Sequence, residues 1–462
     1  MYSLKDIMES RNIAVFGASR NTEKPGSALL SLLHQTGFQG RIAGINPQGG
    51  DIGGVPIYPH LDDVPFKVDL AVMIIPPAAV VEAIRDCARK GVKGVVISSE
   101  GFSESGEKGR AYQNEIIDII RRNGIRAIGP NTLGLLNTQT GLTSSYYADA
   151  RALSPGVIGF AAQSGIFVGA FMRYLSSFKH LGLSKGMGLG NKIDIDECDA
   201  LDFFAEDEQT RVVGLYLEDI RNGGKFLKTA KYASARKPVL LIKGGRTTPG
   251  ARATASHTAS IAGDDLILNG TLRQAGVLRL SGIEELLAAL MGFTWTPLPK
   301  GPKIAIVTYS GAQSIMCVDL AADLGLSLAQ FHPDTRKRLS KVMQNEYKYK
   351  NPIDIFPDMM AHGFEKTATV ILDALFQDDD VNGIIFISFT MEGGGFGMYE
   401  PLVEMIRQRA NKPVFFSLSG DKDGVQATGD FLLDQKIPFF QFPELGVRTL
   451  ARMWQYQQTL NR

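Results

Sequence analysis

His257 has the surroundings of a reactive residue. It is one of six histidines in the chain and sits in Ala255-Ser256-His257-Thr258-Ala259-Ser260. Small neighbours leave the imidazole accessible and let the loop move, and the Ser256 and Thr258 hydroxyls can donate to phosphate oxygens. A metal role finds no pattern: there is no HxxxH or HExxH, and no other histidine lies near in sequence. Glu218 ends the apolar run Val212-Val213-Gly214-Leu215-Tyr216-Leu217. A carboxylate there is either a solvated strand-end group or the acceptor of an imidazole N–H. In the second case it fixes the tautomer and supports the cation formed during phosphoryl transfer. Ser-His-Asp and Cys-His catalysis lack support, because Ala162-Gln163-Ser164-Gly165 supplies only half of a GxSxG elbow.

Several glycine turns follow apolar runs, and in open α/β sheets ligands bind beyond the carboxyl ends of the strands. Gly17-Ala18-Ser19-Arg20 follows Asn12-Ile13-Ala14-Val15-Phe16, with Lys24 close by. A glycine turn into a helix start beside basic residues suits a phosphate, and a plain tight turn is the competing reading. It is not GxGxxG. The second strand ends in Asn46-Pro47 rather than the acid that holds a ribose in NAD enzymes, which weakens an oxidoreductase reading. Pro76-Pro77, Glu100-Gly101-Phe102 and Gly129-Pro130-Asn131 follow later strands. Each alone is turn chemistry, but together they mark one edge. Ser164-Gly165 and Ser310-Gly311-Ala312 are two parallel helix starts whose free amides suit an anion, and Ser164 alone is a sensible N-cap.

Elements that position these groups are legible from periodicity. Strands are expected at Asn12–Phe16, Arg41–Ile45, Val68–Ile74, Gly94–Ile97 and Arg126–Ile128, with helices near Gly26–Thr36, Ala78–Lys90 and Gly106–Asn123. The rhythm restarts with a strand Gly156–Ala161, a helix Gly165–Phe178, strands Arg211–Leu217 and Pro238–Ile242, and a helix near Lys225–Ala235. Gly244 to Gly263, rich in Gly, Ala, Ser and Thr and without periodicity, reads as a functional loop. A third start follows the proline-rich linker 296–302, with strand Lys303–Thr308, helix Gly311–Leu324, and strands Gly383–Ile387 and Pro413–Phe416. Repeated βα units imply parallel sheets. The expected fold class is α/β with three consecutive domains, over 1–135, 145–293 and 301–462.

Composition sets outer limits. The 462 residues carry a formal charge of +1, so charge supports neither a nucleic-acid nor an anionic-membrane partner. Three dispersed cysteines argue against a disulfide framework and fit a reducing cytoplasm. The first ten residues lack an apolar core, so no signal peptide is expected, and no apolar run reaches the ~18 residues of a membrane span. The residues Phe167, Phe171 and Tyr147 fit either an acyl pocket or ordinary core packing.

Taken together the motifs resemble the ADP-forming acyl-CoA synthetases and, more distantly, the succinyl-CoA synthetase alpha subunit, over nearly the whole chain. Asn12 to Ser19, Asn46-Pro47, Pro76-Pro77, Glu100-Gly101-Phe102 and Gly129-Pro130-Asn131 resemble the family's CoA-binding domain. Gly190-Asn191-Lys192 with Asp194, Asp196 and Glu197 resembles a second-domain segment, Ser256-His257-Thr258 the phosphohistidine loop, and Asn351-Pro352-Ile353-Asp354 a third-domain motif. Gly188 stands where the family often has serine, and Ser310-Gly311-Ala312-Gln313 is poorer in glycine than usual.

The resemblance implies a Rossmann-like CoA-binding domain followed by two flavodoxin-like ligase domains. It implies CoA at Gly17, Ala18, Ser19, Arg20, Lys24, Asn46, Pro47, Pro76, Pro77, Glu100 and Asn131. Phosphate falls to Ser164, Gly165, Ser256, Thr258, Ser310, Gly311 and Ala312, with His257 phosphorylated and Glu218 orienting it. Inorganic phosphate and ADP/ATP with Mg are the remaining small molecules. No ATP-grasp domain is evident, so a separate ATP-grasp beta subunit holding the nucleotide, in a heterotetramer, is expected. The alternative is a non-catalytic CoA or acyl-CoA sensor of the same fold.

Overall fold

The computed structural model describes residues 2–19, 21, 23–146, 154–165, 167–252, 264–390 and 396–461. They form two compact units, Met1–Leu280 and Ser281–Arg462. Three mainly parallel sheets carry the chain, two in the first unit and one in the second.

The first sheet contains β1 Asn12–Phe16, β2 Arg41–Ile45, β3 Gly50–Ile52, β4 Val55–Tyr58, β5 Leu70–Met73, β6 Gly94–Ile97 and β7 Arg126–Ile128. They lie in the order β3-β4-β2-β1-β5-β6-β7, with only β3 antiparallel to its neighbour. The capped turn α1 (Leu4–Met8) precedes them, and the crossovers are α2 (Pro25–Gln35), α3 (Pro77–Arg89) and α4 (Glu107–Asn123). Strands such as β5 and β6 are buried at every position, as parallel strands covered on both faces must be. In α3, Pro76 and Pro77 occupy the cap and first helical position, where a missing N–H costs nothing. Val80, Ile84 and Cys87 then form its inward stripe.

The second sheet contains β8 Leu135–Asn137, β9 Leu142–Thr143, β10 Ile158–Ala162, β11 Leu183–Gly188, β12 Val212–Leu217, β13 Val239–Lys243 and β14 Leu278–Leu280. Their order is β14-β13-β12-β10-β11-β8-β9. The residues between the first two expected domains therefore form a hairpin, β8–β9, that pairs antiparallel with β11. Its helices are α5 (Met172–Leu175), α6 (Glu197–Glu206), α7 (Gly223–Ser234) and α8 (Asp265–Ala275).

Two expectations change here. The helix after β10 is π-wound over Phe167–Phe171 and ends at Leu175 rather than Phe178. Ser176 and Ser177 stop it, their hydroxyls donating back to the carbonyls of Arg173 and Tyr174 at 2.8 and 2.6 Å. Within the segment read as a loop, residues 248–252 are helical, begun by Thr247, whose hydroxyl accepts the Gly250 N–H at 3.2 Å. Phe167 and Phe171 are core rings: Phe167 stacks on Tyr216 with centroids 4.2 Å apart, and Phe171 lies 5.5 Å from Phe160. Tyr147 lies outside the described residues.

The second unit opens with α9 (Ile283–Trp295). Its sheet has β15 Lys303–Thr308, β16 Ser327–Leu328, β17 Ile353–Asp354, β18 Gly383–Phe389, β19 Val414–Ser419 and β20 Phe439–Phe440. The order is β16-β15-β18-β19-β20, with β17 also on β15. After β15 comes α10 (Gly311–Asp323), and the C-terminal helix Pro443–Leu460 packs against both α9 and α10. So α9, sequence-adjacent to the second sheet, belongs to this unit. Arg452 reinforces the packing by donating to buried Glu285 at 2.9 Å.

The turn after β1 is sterically exact in its demand for glycine. Gly17 has φ +92°, and a Cβ there would lie 2.2 Å from the Ile74 carbonyl oxygen. On Gly26, in the first turn of α2, a Cβ would lie 2.4 Å from the Gly17 carbonyl oxygen. Helix and turn thus touch backbone to backbone. We expect Gly26→Ala to destabilise the chain by about 1–3 kcal/mol through overpacking. Gly270→Ala, in α8 with open space around it, is expected to stabilise by about 1 kcal/mol. Chemical denaturation of both variants checks the contrast.

Candidate functional site

A cleft of about 650 Å³ opens in the first unit where the carboxyl edges of the two sheets meet. Ile74, Ser98, Ser99, Glu100, Asn131 and Thr132 line it from the first sheet, and Gln163, Ser164, Gly165, Gly169 and Ala170 from the second. The Gly190-Asn191 turn closes one side. Among the described lining residues Glu100 is the one formally charged side chain.

The two edges are sewn together by backbone. Asn191 N–H donates to the Pro130 carbonyl at 2.9 Å, Ile193 N–H to Gly129 at 3.2 Å, and Thr132 Oγ1 to the Gly188 carbonyl at 2.7 Å. The Asn191 side chain donates to Glu104 Oε2 at 2.7 Å, while Glu104 Oε1 accepts the Gly101 and Phe102 amides at 2.7 and 3.0 Å. Burial pushes the Glu104 carboxyl up, but these donors more than offset it and hold it below the usual range.

Beneath the cleft lies a buried charge cluster. The Lys192 ammonium is fully buried, with Glu197 Oε2 at 2.9 Å, the Asp219 carbonyl at 3.0 Å, and a contact to Asp219 Oδ1. Burial raises both acids. At Asp219 the charges of Lys192 and Arg221 and the donors Lys192 and Gln163 win, and its carboxyl falls below the ordinary value. At Glu197 burial wins over Lys192 and the carboxyl rises. Arg221 covers the cluster by donating to the carbonyls of Lys192 and Asn191, each at 2.9 Å.

Glu218 follows β12 and is 5% exposed. Its Oε1 accepts the Tyr216 hydroxyl at 3.4 Å, and its Oε2 is buried with no hydrogen-bond partner among the described residues. Burial and the Glu218 charge push the Tyr216 hydroxyl up to about 12, so it remains a donor. Gly244, the first residue after β13, is so close that a Cβ on it would lie 3.5 Å from Glu218 Cγ. Lys243 ties this root down, donating to the Glu218 carbonyl at 2.6 Å and to the Gly244 carbonyl. Such an orphaned buried carboxylate oxygen is a costly group that a ligand or loop would satisfy.

The other expected positions fall as follows. Asn46 Nδ2 donates to the Ala18 carbonyl at 2.6 Å, joining the ends of β1 and β2. The Ser19 N–H donates to Ser27 Oγ at 3.2 Å, so the turn is fastened to α2. Lys24 is the cap residue of α2 and makes no side-chain cap bond among the described residues. Pro47 is exposed beside Asn46. Pro76 and Pro77 begin α3. Glu100, Asn131, Ser164 and Gly165 come together in the cleft. Ser310, Gly311 and Ala312 begin α10 in the second unit, where Ser310 makes no side-chain cap bond. Arg20, Ser256, His257 and Thr258 lie outside the described residues. The turn's Cβ-free cradle at the start of α2 fits a phosphate-bearing ligand.

Sequence reasoning did not single out Asp219, or see that Gln163 and Lys192 form one network with it. The available signal was the acid doublet Glu218-Asp219 at a strand end together with a lysine inside Gly190-Asn191-Lys192. We expect Lys192→Met to cost about 3–5 kcal/mol, because it strands two buried carboxylates. Adding Glu197→Gln is expected to recover part of that loss. Strictly additive unfolding energies would show that the pair is not coupled. Asp219, with its depressed pKa, contributes stability that is complete above its unfolded value and is lost as pH falls through the folded one.

Comparison with known proteins fits this geometry. A CoA binding domain family matches residues 11–138, and a succinyl-CoA ligase like flavodoxin domain family matches residues 155–293. The chain is 31% identical to the alpha subunit of ADP-forming acetate–CoA ligase I from Pyrococcus furiosus, covering 99% of this chain and 98% of that one. It is 37% identical to ADP-forming acetate–CoA ligase II from Archaeoglobus fulgidus, covering 98% of this chain and 67% of the relative. It is 31% identical to ADP-forming 4-hydroxybutyrate–CoA ligase from Nitrosopumilus maritimus, of which it covers 63%. The chain thus spans about two thirds of these longer relatives and nearly all of the separate alpha subunit. The acetyl-coenzyme A synthetase 1 of Candidatus Korarchaeum cryptofilum, solved with phosphate and ADP, superposes with a TM-score of 0.91 at 31% identity, covering 100% of this chain and 98% of that one. With a CoA-binding Rossmann-like domain followed by succinyl-CoA-ligase-type domains, the chain belongs to the ADP-forming acyl-CoA synthetases.

Proposed function

We propose that the chain acts as the alpha subunit of an acid–thiol ligase, interconverting acyl-CoA, ADP and phosphate with a carboxylic acid, ATP and CoA. The observation that carries this reading is the buried Oε2 of Glu218, without a hydrogen-bond partner among the described residues, close to the Gly244 root of the segment that bears His257 in sequence. In the ATP-forming direction phosphate displaces the CoA thiolate from the acyl group, giving an acyl phosphate and CoA. His257 attacks the phosphorus through a ring nitrogen, releasing the carboxylate. Glu218 accepts the other ring N–H and stabilises the imidazolium as it forms. The phosphoryl group then passes from His257 to ADP.

The Ser164 and Gly165 end of the cleft, a helix start, supplies oriented amides for the phosphate, with Ser256 and Thr258 as hydroxyl donors. Ser310, Gly311 and Ala312 supply a second such start. The Gly17–Arg20 turn, Lys24 and Asn46-Pro47 hold the phosphates and nucleotide of CoA, while Pro76, Pro77, Glu100 and Asn131 guide it into the cleft.

We assign ADP/ATP and Mg to a separate ATP-grasp beta subunit, in a heterotetramer. The subunit alpha designation of the Pyrococcus furiosus relatives supports this. No helix among the described residues is long and apolar enough to cross a membrane, and we place the enzyme in the cytoplasm. The domains we propose are 1–135 for CoA and 145–293 and 301–462 for the ligase halves, with α9, at the end of the 145–293 span, packing in the second unit.

Incubation with acetyl-CoA and radiolabelled phosphate, with and without the beta subunit, is expected to give an acid-labile, base-stable label on the protein. His257→Ala should remove the label and turnover while CoA still binds. Turnover equal to wild type in that variant would sink the mechanism. Glu218→Gln, which keeps the shape and loses the charge, is expected to slow labelling about 100-fold.

A further inference from the structure

Gln163 occupies an unusual position: it lines the cleft, yet its carboxamide is engaged beneath it. Its Oε1 accepts two backbone amides, Glu218 N–H at 2.9 Å and Asp219 N–H at 3.1 Å. Its Nε2 donates to Asp219 Oδ1 at 2.9 Å. The Gln163 N–H also donates to the Tyr216 carbonyl at 2.9 Å. Gln163 therefore grips the peptide just past β12 from which the Glu218 side chain departs.

The grip has one allowed orientation. Turning the amide over would aim Nε2 at two N–H donors and Oε1 at a carboxylate, opposing like with like at each of these three contacts. That holds only while Asp219 is ionised, and Lys192 keeps it so. The buried ammonium, the depressed acid and the oriented amide form one chain of cause ending at the Glu218 backbone.

We infer that Gln163 is a positioning residue: held in register by Asp219 and Lys192, it fixes the Glu218 carboxylate for the phosphohistidine step. The inference rests on Glu218 being the partner of His257, and its test separates the two.

Gln163→Glu is the informative variant. As a carboxylate, Glu at this position still accepts both amides but faces Asp219 with no proton between them. As a carboxylic acid it restores the lost donor. The other groups facing it are Lys192, Glu197 and Arg221 around Asp219, Tyr216 and Glu218 at the end of β12, Lys243 beside them, and Glu100 and Tyr146 across the cleft. The wild-type protein carries all of these unchanged, so the ratio of variant to wild type isolates position 163.

With acetyl-CoA and radiolabelled phosphate near pH 8, the variant is expected to label about 100-fold more slowly, as for a reacting group displaced by an ångström. CoA affinity should stay within about twofold, because the carboxamide points away from the cleft, to the Glu218 and Asp219 amides and Asp219 Oδ1. As pH falls toward 6 the gap to wild type should narrow about tenfold, as the new carboxyl, raised by burial and Asp219, takes up its proton. A constant ratio across pH, or a loss that follows CoA affinity or melting temperature, would overturn the inference.

His257→Ala in the same assay separates the readings. Persisting label there defeats the phosphohistidine mechanism. Label lost there but normal in Gln163→Glu at every pH defeats only the positioning role. Should Gln163→Glu fail to fold, Gln163→Asn keeps the chemistry but shortens the reach, and wild-type labelling by it would overturn the inference equally.

Discussion

An ammonium with no water around it must be matched on every side or it unfolds what surrounds it. Lys192 meets that demand with Glu197, Asp219 and a carbonyl. Its position is set by the Gly190-Asn191-Lys192 turn, whose backbone has positive φ at both 190 and 192. Gly190 is pressed against the Pro130 carbonyl, where a Cβ would lie 2.1 Å away. The turn is thus wedged between the ends of β7 and β12, and the charge it carries holds Asp219 in place. The carboxyl edges of the two sheets become one rigid wall, and the cleft is the gap they leave.

That arrangement separates structural charge from charge that remains available. The cations Lys192 and Arg221 are spent on Asp219, Glu197 and backbone carbonyls. Lys243 is half-buried and spent on two carbonyls, and burial lowers its pKa. Among the described residues, Glu218 keeps a phenol on Oε1 and no hydrogen-bond partner on Oε2. A carboxylate in this position favours whatever N–H cation can reach it, which is the electrostatic preference that a phosphorylated imidazole needs. Inside the cleft the opposite economy holds: no cation lines it among the described residues. An anion there must be held by amides and hydroxyls, which a helix start supplies without a counter-charge of its own.

The parts legible in the sequence were those fixed by local pattern. Solid apolar runs such as Asn12–Phe16 and Val212–Leu217 are strands because parallel sheets bury both faces. The carboxyl-edge turns followed from those runs, and with them Glu100, Asn131, Ser164 and Gly165. What escaped was set by tertiary contact. Leu-Ser-Lys-Gly-Met-Gly, the β11 strand, carries weak strand residues and is a strand because β10 and the β8 hairpin flank it. Its Gly186 leaves room for Met172, whose Cε would sit 2.7 Å from an added Cβ. The buried network escaped for the same reason: Gln163, Lys192 and Asp219 lie far apart in sequence, and no periodicity announces that three polar side chains share one interior site.

The chain repeats one device, a strand running into a glycine- or serine-bearing helix start, in each of its sheets. What distinguishes them is how the turn is filled. After β1, Ser19 and Ser27 close the turn on itself and Asn46 braces it, leaving a smooth backbone cradle. After β15, the Thr308 hydroxyl exchanges hydrogen bonds with the Ser310 backbone, and Gln313 reaches Ser419 at 3.3 Å. The neighbouring strand β18 leads into Thr390, not an acid. Among the described residues, it is after β10 that the turn residue reaches across to a neighbouring strand that ends in two acids, one of them held by Lys192. A bare helix start binds an anion and lets it go. A helix start beside a buried carboxylate can bind the anion and also stabilise a cation formed next to it, and a phosphoryl group moving onto an imidazole needs both at once.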